Sequence, residues 1–552
     1  MALETEEREE AGSKNTPFRP LVAGPAGSLN PLAVRIGLAA ALLFAYLNLF
    51  IWPDAPIFTW GDQAIFLQSG VKLAAGQVMY RDFFFFTLPG TETFYSLLIR
   101  TFGARAWIPN VSLLLLGVGL VWLSIRISSR IVRGVTAFLP GFLFLGTGYR
   151  SWLDATHHWF SVFFVVAATA VVIESRSVRR MACAGALLGV ASCFTQTRGP
   201  AGIVALSVFL LWEWHGGERS WRDTVKAELA MIGASVAVLF SFCSYFADRA
   251  GLANFLWATL VFPLKYSRSY LPWNSWGVYL WPMPRLYHVV TFGIWCFING
   301  LIPAVFVVFF AAFWRYRKSH PEMAWKPAML VALVGVFLFA TVAYAPGFDR
   351  LCEISMPAIM VLVFLLSGAG KATTMARRGL WIFTLTMLVI LPIRVQTRWH
   401  AILKLPAGGS AFLDPETYAE YKWIAERTRP GERFFEAGFS DIYFMLHLEN
   451  PTAVHLLTRS QYTRPSQVKD VVSCLERLKV RWILWTPELL GQVDDSQRRE
   501  GLGPLRRLIL ADYREVKEFA DGDQMWELAP SSGTTVGRQG DRTPTADRVK
   551  RD

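Results

Sequence analysis

WGDQAIFLQSGVKLAAGQVMYRDFFFFTLPGTETFYSLLIRTF (Trp60–Phe102) is the stretch on which the reading of this chain turns. It follows an apolar run, Pro31–Trp52, long enough to cross a bilayer, yet is too polar to be a second crossing. It sets two aspartates, Asp62 and Asp82, among glycine turns and many aromatic residues. Within it, Gln63–Ala75 reads as a helix lying on the membrane surface, and Pro89–Phe102 as a second helix too short to span comfortably. A loop of this kind is expected to hold chemistry at the mouth of a cavity enclosed by the later helices.

Outward from that loop the chain is dominated by apolar runs. Of its 552 residues, 53% are hydrophobic and only 18% charged, which excludes an ordinary soluble enzyme of this size. Beyond the first run, stretches at 108–125, 134–148, 159–173, 181–195, 201–214, 228–246, 288–314, 327–345, 351–368 and 379–396 meet or approach spanning length, giving about eleven spans. The net charge of +13 does not form one patch, so nucleic acid is not an expected partner, and membrane lipids are.

The basic residues fix an orientation. With the N-terminus cytoplasmic, five cytoplasmic loops hold sixteen Lys and Arg residues, from Arg126, Arg130 and Arg133 to Lys371, Arg377 and Arg378. Three short opposing loops hold one each: Arg150, Arg198 and Arg350. This puts the Asp62 loop, the long loop at 249–287 and everything after Thr397 outside the cytoplasm, with the chain multi-pass in the plasma (inner) membrane. The six cysteines show no CxxC or zinc spacing, so neither a disulfide framework nor a cysteine metal site is expected. Residues 1–30 read as a disordered cytoplasmic segment, and Pro31–Trp52 as a retained helix rather than a cleaved signal peptide.

After the transmembrane region (31–398, with 53–107 its first extracytoplasmic loop), residues 399–529 take on the composition of a soluble α/β domain. Pro415–Arg427 and Ser466–Lys479 are expected as helices, RFFEAGF (433–439) and VRWILWT (480–486) as strands, and REVKEF and QMWEL as a closing hairpin. Residues 530–552 are polar and expected to be disordered.

The Trp60–Gly90 segment resembles the first extracytoplasmic loop of GT-C glycosyltransferases, in particular bacterial members of the protein O-mannosyltransferase and aminoarabinose transferase (PMT-like) group. The shared elements are an opening Asp, here Asp62, a "G-x-x-x-Y-x-D" element at Gly76–Asp82, and a proline turn at Leu88-Pro89-Gly90 before an aromatic helix. RMACAGALLGVASCFTQTRGP (180–200) and PGFDRLCEISMP (346–357) resemble the family's span ending in a polar turn and its late "R…P" element. The resemblance implies a polytopic α-helical GT-C-like fold with a C-terminal extracytoplasmic α/β domain. It also implies transfer of a sugar from a polyprenyl-phosphate donor to an extracytoplasmic acceptor: protein, lipid or envelope glycan. The sequence departs from the family pattern at Gln63, where a Glu is common, and at Thr87-Leu88-Pro89-Gly90, which lacks the frequent lysine.

That chemistry needs a carboxylate to take the acceptor hydroxyl's proton and a cation beside the leaving phosphate. Asp62 is the expected general base, although an Asp after Gly in a loop is otherwise a capping or solvated residue. Asp82 either positions a substrate or pairs with Arg81. In YRSWLDATHHWF, Asp154, His157 and His158 stand at i, i+3 and i+4, one face if helical. They are expected near the active site, and the spacing leaves room for a divalent metal, although no cofactor is firmly implied. Arg198, Arg350, Lys265 and Arg268 are the expected cations for the lipid phosphate, since ionisable residues near membrane depth are functional candidates. Tyr80 and Tyr266 are candidates for stacking on the sugar or acceptor, although interfacial belt residues would look the same. No P-loop, dinucleotide fingerprint or hydrolase elbow occurs. A lipid-linked-sugar flippase or transporter and a non-catalytic envelope scaffold are the competing readings.

Overall fold

The computed structural model describes residues 29–530, apart from 267–275, 281–283, 285–287, 369, 440, 460–461, 487–488 and 490–500. Arg268 and the terminal segments therefore lie outside the described residues. The chain begins as a helix, α1 (Pro31–Leu49), started by Pro31 at its first position and by the Asn30 side chain, which accepts the Leu32 N–H at 2.9 Å. It ends in a small antiparallel hairpin, β1 (Phe50–Ile51) with β2 (Ala55–Pro56). The loop that follows carries α2 (Gln63–Ala74) and α3 (Gly90–Phe102).

The membrane region continues with α4 (Trp107–Ser128), α5 (Gly134–Tyr149), α6 (His157–Val172), α7 (Val178–Phe194), α8 (Arg198–His215) and α9 (Trp221–Ala250). After short helical turns at Leu252–Tyr266 come α10 (Val289–Tyr316), α11 (Trp325–Val342), α12 (Phe348–Leu365) and α13 (Lys371–Arg398). Every apolar run expected as a span coincides with a helix. Six of these helices are long and apolar enough to cross a membrane: α1, α4, α9, α10, α11 and α13. Of the remaining helices, α5 and α12 are internal. From Leu139 to Tyr149, α5 is buried throughout, and α12 is buried from Leu351 to Val361. By contrast, α9 and α13 leave Leu229, Val236, Phe240, Ile382, Val389 and Ile393 exposed, an apolar surface suited to lipid.

Close helix packing depends on glycine at one crossing. A Cβ on Gly185 of α7 would come within 2.0 Å of the Met231 carbonyl oxygen of α9, and one on Gly189 within 2.7 Å of the Ser235 carbonyl oxygen. This is a small-xxx-small contact between backbones. Gly185→Leu is expected to destabilise the protein by at least about 1–3 kcal/mol, since the clash is with backbone. Thermal unfolding in detergent measures it. Gly233→Leu, where a Cβ meets nothing within 4 Å, serves as the unaffected control.

Beyond α13, β3 (Ala401–Leu405) and β4 (Gly408–Phe412) form an antiparallel hairpin. The first loop joins it, the Phe58 N–H donating to the Ala411 carbonyl at 2.8 Å. Then come α14 (Pro415–Ala425), β5 (Phe434–Ala437), α15 (Ile442–Leu446), α16 (Pro465–Leu478), β6 (Trp482–Trp485), α17 (Gly503–Asp512), β7 (Tyr513–Glu518) and β8 (Gln524–Leu528). The sheet order is β5-β6-β8-β7, with β5 and β6 parallel and the other pairs antiparallel. The two-residue alternation of strands divides its faces. Phe434, Trp482, Leu484 and Met525 join the core shared with the membrane helices, while Phe435, Ala437, Ile483 and Trp485 pack under α16 and α17.

The sheet region also covers the first loop, which corrects the expectation of a surface-lying α2. Gln63–Gly70 and Lys72 are buried. The polar residues that gave α2 its amphipathic pattern meet the C-terminal region instead of headgroups. Lys72 Nζ donates to the Thr452 carbonyl at 2.8 Å, and Gln68 and Ser69 pair with His455.

Candidate active site around Asp62

Asp62 precedes the first residue of α2, and a second aspartate holds that helix end. Asp154, in the loop between α5 and α6, accepts the Asp62 N–H at 3.1 Å and the Gln63 N–H at 2.9 Å, one on each carboxylate oxygen. These are two of the donors a helix start leaves unsatisfied, and a negative charge there is favourable. Gly61 permits the approach: its φ is +147°, and a Cβ on it would sit 2.7 Å from the Asp154 carboxylate carbon.

Gln63 completes the lacing of the two loops. Its Oε1 accepts the Ala155 N–H at 2.9 Å, while its Nε2 donates to the Thr59 carbonyl at 2.8 Å. An ionised glutamate could not donate to Thr59, so an amide at this position has a local reason. Tyr95 adds a third tie, its hydroxyl donating to the Ala155 carbonyl at 2.5 Å.

The result is a division of labour between two carboxylates. Asp154 is 3% exposed and fully engaged in positioning. Burial, then the like charge of Asp62, push its carboxyl well above the usual range, against the backbone donors that favour its charged form. Asp62 is exposed, and among the described residues its carboxylate has no hydrogen-bond or ion-pair partner. It is open to solvent on one side and surrounded by protein elsewhere. That desolvation first, and then the like charge of Asp349, raise its carboxyl from 3.8 to about 6, with Arg350 opposing.

Behind this pair lies a charged group buried among α6, α8 and α12. Arg198, at the start of α8, is 1% exposed and donates to Glu353 Oε2 at 2.6 Å, to the His158 carbonyl at 2.6 Å and to Ser161 Oγ at 3.3 Å. Glu353 of α12 is fully buried, and His158 Nδ1 lies 3.7 Å from its Oε2. The His157 and His158 rings stand 3.9 Å apart, and His157 lies 5.0 Å from the Phe66 ring of α2. Arg350, one turn before Glu353, donates to the Ala345 carbonyl at 3.0 Å and lies over Tyr344. Asp349 is legible in the sequence only as a pairing partner for Arg350, and Glu353 is not among the sequence candidates. A carboxylate one helical turn from Arg350 inside an apolar run was the available signal.

The structure thus brings together Asp62, Asp154, His157, His158, Arg198 and Arg350. Asp154 lies ahead of α6 rather than on it, so it does not share a helix face with the two histidines. Among the described residues, the one group of three with ligand atoms within 4.8 Å of one another is elsewhere, at Glu420, Asp521 and Asp523.

Other expected residues stand apart from this group. Asp82 accepts the Val78 N–H at 2.7 Å and pairs with Arg81 at 2.8 Å. It lines a separate cavity of about 860 Å³ with Lys72, Trp257 and Arg464. Tyr80 is buried, its hydroxyl donating to the Thr87 carbonyl at 2.6 Å. Lys265 is exposed beside the ring of Tyr266, which packs 5.1 Å from Phe262. An accessible carboxylate of raised pKa beside a guanidinium can take up a proton while an anion is held nearby.

Comparison with solved structures finds the same architecture elsewhere. ArnT from Cupriavidus metallidurans bound to undecaprenyl phosphate matches with a TM-score of 0.58 at 13% identity, over 90% of this chain and 98% of that one. The apo form of the same protein matches at 0.54 and 13% identity, over 90% and 97%. Archaeoglobus fulgidus AglB, in complex with an inhibitory peptide and a dolichol-phosphate, matches at 0.50 and 12% identity, over 91% and 75%. These are GT-C glycosyltransferases, and the chain has the GT-C fold of a multi-pass helical membrane protein. No family model matches it, and no curated protein matches its sequence.

Proposed function

We propose, from the GT-C fold and the open Asp62 carboxylate, that the protein is a glycosyltransferase using a sugar carried on a polyprenyl phosphate. The chain crosses the membrane about eleven times with its N-terminus cytoplasmic, so Asp62 and the C-terminal region face the extracytoplasmic side. The acceptor hydroxyl attacks the anomeric carbon as Asp62 takes its proton. The bond from that carbon to the phosphate oxygen breaks, and polyprenyl phosphate leaves with the bonding electrons. Arg350 is the cation nearest this role because it acts electrostatically on Asp62. Arg198 is engaged with Glu353 and supports the site from behind. The bound undecaprenyl phosphate of ArnT and dolichol-phosphate of AglB support a lipid-phosphate carrier.

The single observation that carries this reading is the contrast between the two aspartates. Asp154 holds the helix start, so Asp62 is left accessible and unpaired. The test supplies membranes containing the protein with labelled polyprenyl-phosphate sugars and native envelope acceptors. Label moving from lipid into acceptor only where the protein is present supports the proposal. Movement equal to that in membranes lacking it overturns it.

A pH profile follows from the same site. Only ionised Asp62 accepts a proton, so transfer should rise with pH through about 6 and fall below it. Asp349→Asn removes a like charge and should move this acid limb to lower pH. Arg350→Gln removes the opposing charge and should move it higher. Initial rates between pH 4.5 and 8 measure both shifts.

A further inference from the structure

The C-terminal sheet ends in an acidic group that the transfer chemistry does not use. Glu420 lies on α14, and Asp521 and Asp523 flank Gly522 in the turn joining β7 to β8. One oxygen from each lies within 4.8 Å of the others. Calcium–oxygen bonds run about 2.3–2.6 Å, so oxygens around one ion stand at most about 5 Å apart. The spacing therefore fits a single ion.

A second observation sets this group apart from a solvated acidic surface. Glu420 is 7% exposed, and among the described residues its carboxylate makes no hydrogen bond or ion pair, although it is directed at the two aspartates. A buried charge without a partner is costly. Its surroundings make this worse. After burial itself, the groups acting on Glu420 are Asp441, Asp523 and Asp521, all of them acidic. Glu436 stands behind them, accepting the Asp441 N–H at 3.0 Å. No ion pair among the described residues reaches Glu420, Glu436 or Asp441.

The turn is also held in place. The Phe519 N–H donates to the Asp523 carbonyl at 2.8 Å, and the Asp523 N–H to Asp521 Oδ1 at 3.0 Å. Gly522 supplies a φ of +92°. We infer that Glu420, Asp521 and Asp523 bind a hard divalent cation, calcium, which ties α14 to the β7–β8 turn. Oxygen-only ligands without His or Cys select this class over zinc or copper.

The full-length protein in detergent, stripped with a chelator, tests this by equilibrium dialysis against radioactive calcium. Wild type is expected to bind one more ion per chain than Asp521→Asn, whose affinity at this site falls at least about tenfold. Asp521 is exposed, so that replacement spares the fold. Calcium should raise the Tm of wild type but not of Glu420→Gln, and the latter should be no less stable than wild type in chelator. Equal calcium binding by wild type and Asp521→Asn, or a Tm of wild type indifferent to calcium, overturns the assignment. None of these readouts depends on sugar transfer.

Discussion

Glu353→Ala should lose about 3–5 kcal/mol of stability and most of the folded protein recovered from membranes. Its carboxylate is fully buried and accepts from Arg198 at 2.6 Å. Removing it strands a guanidinium that is itself 1% exposed. Arg198→Ala should do comparable damage by stranding Glu353. The double replacement Arg198→Met with Glu353→Leu removes both charges at similar volume and should recover most of the stability, because neither partner is left uncompensated. Thermal unfolding of the four proteins separates the loss of one partner from the loss of both. A wild-type Tm for Glu353→Ala would mean that the pair is not what joins α8 to α12. The same double variant should have little activity, since the pair also holds the His158 carbonyl and, through α12, the turn bearing Arg350.

Asp62→Asn should lower transfer by about 10²–10⁴-fold, the usual contribution of a positioned general base. Asparagine is nearly isosteric, and the Asp62 carboxylate has no partner to lose among the described residues. Stability should therefore stay within about 0.5 kcal/mol of wild type. Asp154→Asn should behave differently. An amide there presents hydrogens toward one of two backbone N–H donors, so α2 loses an anchor, and stability and activity should fall together. A variant at Asp62 that unfolds, or one at Asp154 that loses only activity, would reverse the roles given to the two residues. Transfer rates and melting curves on the same preparations separate these outcomes.

Much of this fold is legible in the chain itself, because bilayer thickness and helical rise dictate the length of apolar runs. The strands after residue 430 are legible for a similar reason, as short apolar runs bounded by turns, FFEA and WILW among them. What the sequence does not reveal is how polar residues are divided between substrate and structure. Asp62 and Asp154 are alike as letters, and only the position of Asp154 against the α2 start makes one an anchor and frees the other. Arg198 stands in a polar turn expected outside the cytoplasm, which suggests a ligand, yet its partner is Glu353, 155 residues away in the chain. The amphipathic pattern of α2 is compatible with a membrane surface or with a protein cover. His455 and Thr452, far along the chain, decide for the cover.

In the proposed function a lipid-linked sugar is consumed by transfer rather than carried across the membrane. The most direct measurement uses proteoliposomes loaded with a labelled polyprenyl-phosphate sugar and supplied with envelope acceptors. It quantifies free polyprenyl phosphate and glycosylated acceptor by mass spectrometry. Transfer should yield the two products in equal amounts, both lost with Asp62→Asn. Intact donor appearing in the opposite leaflet with no polyprenyl phosphate released would contradict it and make the protein a transporter.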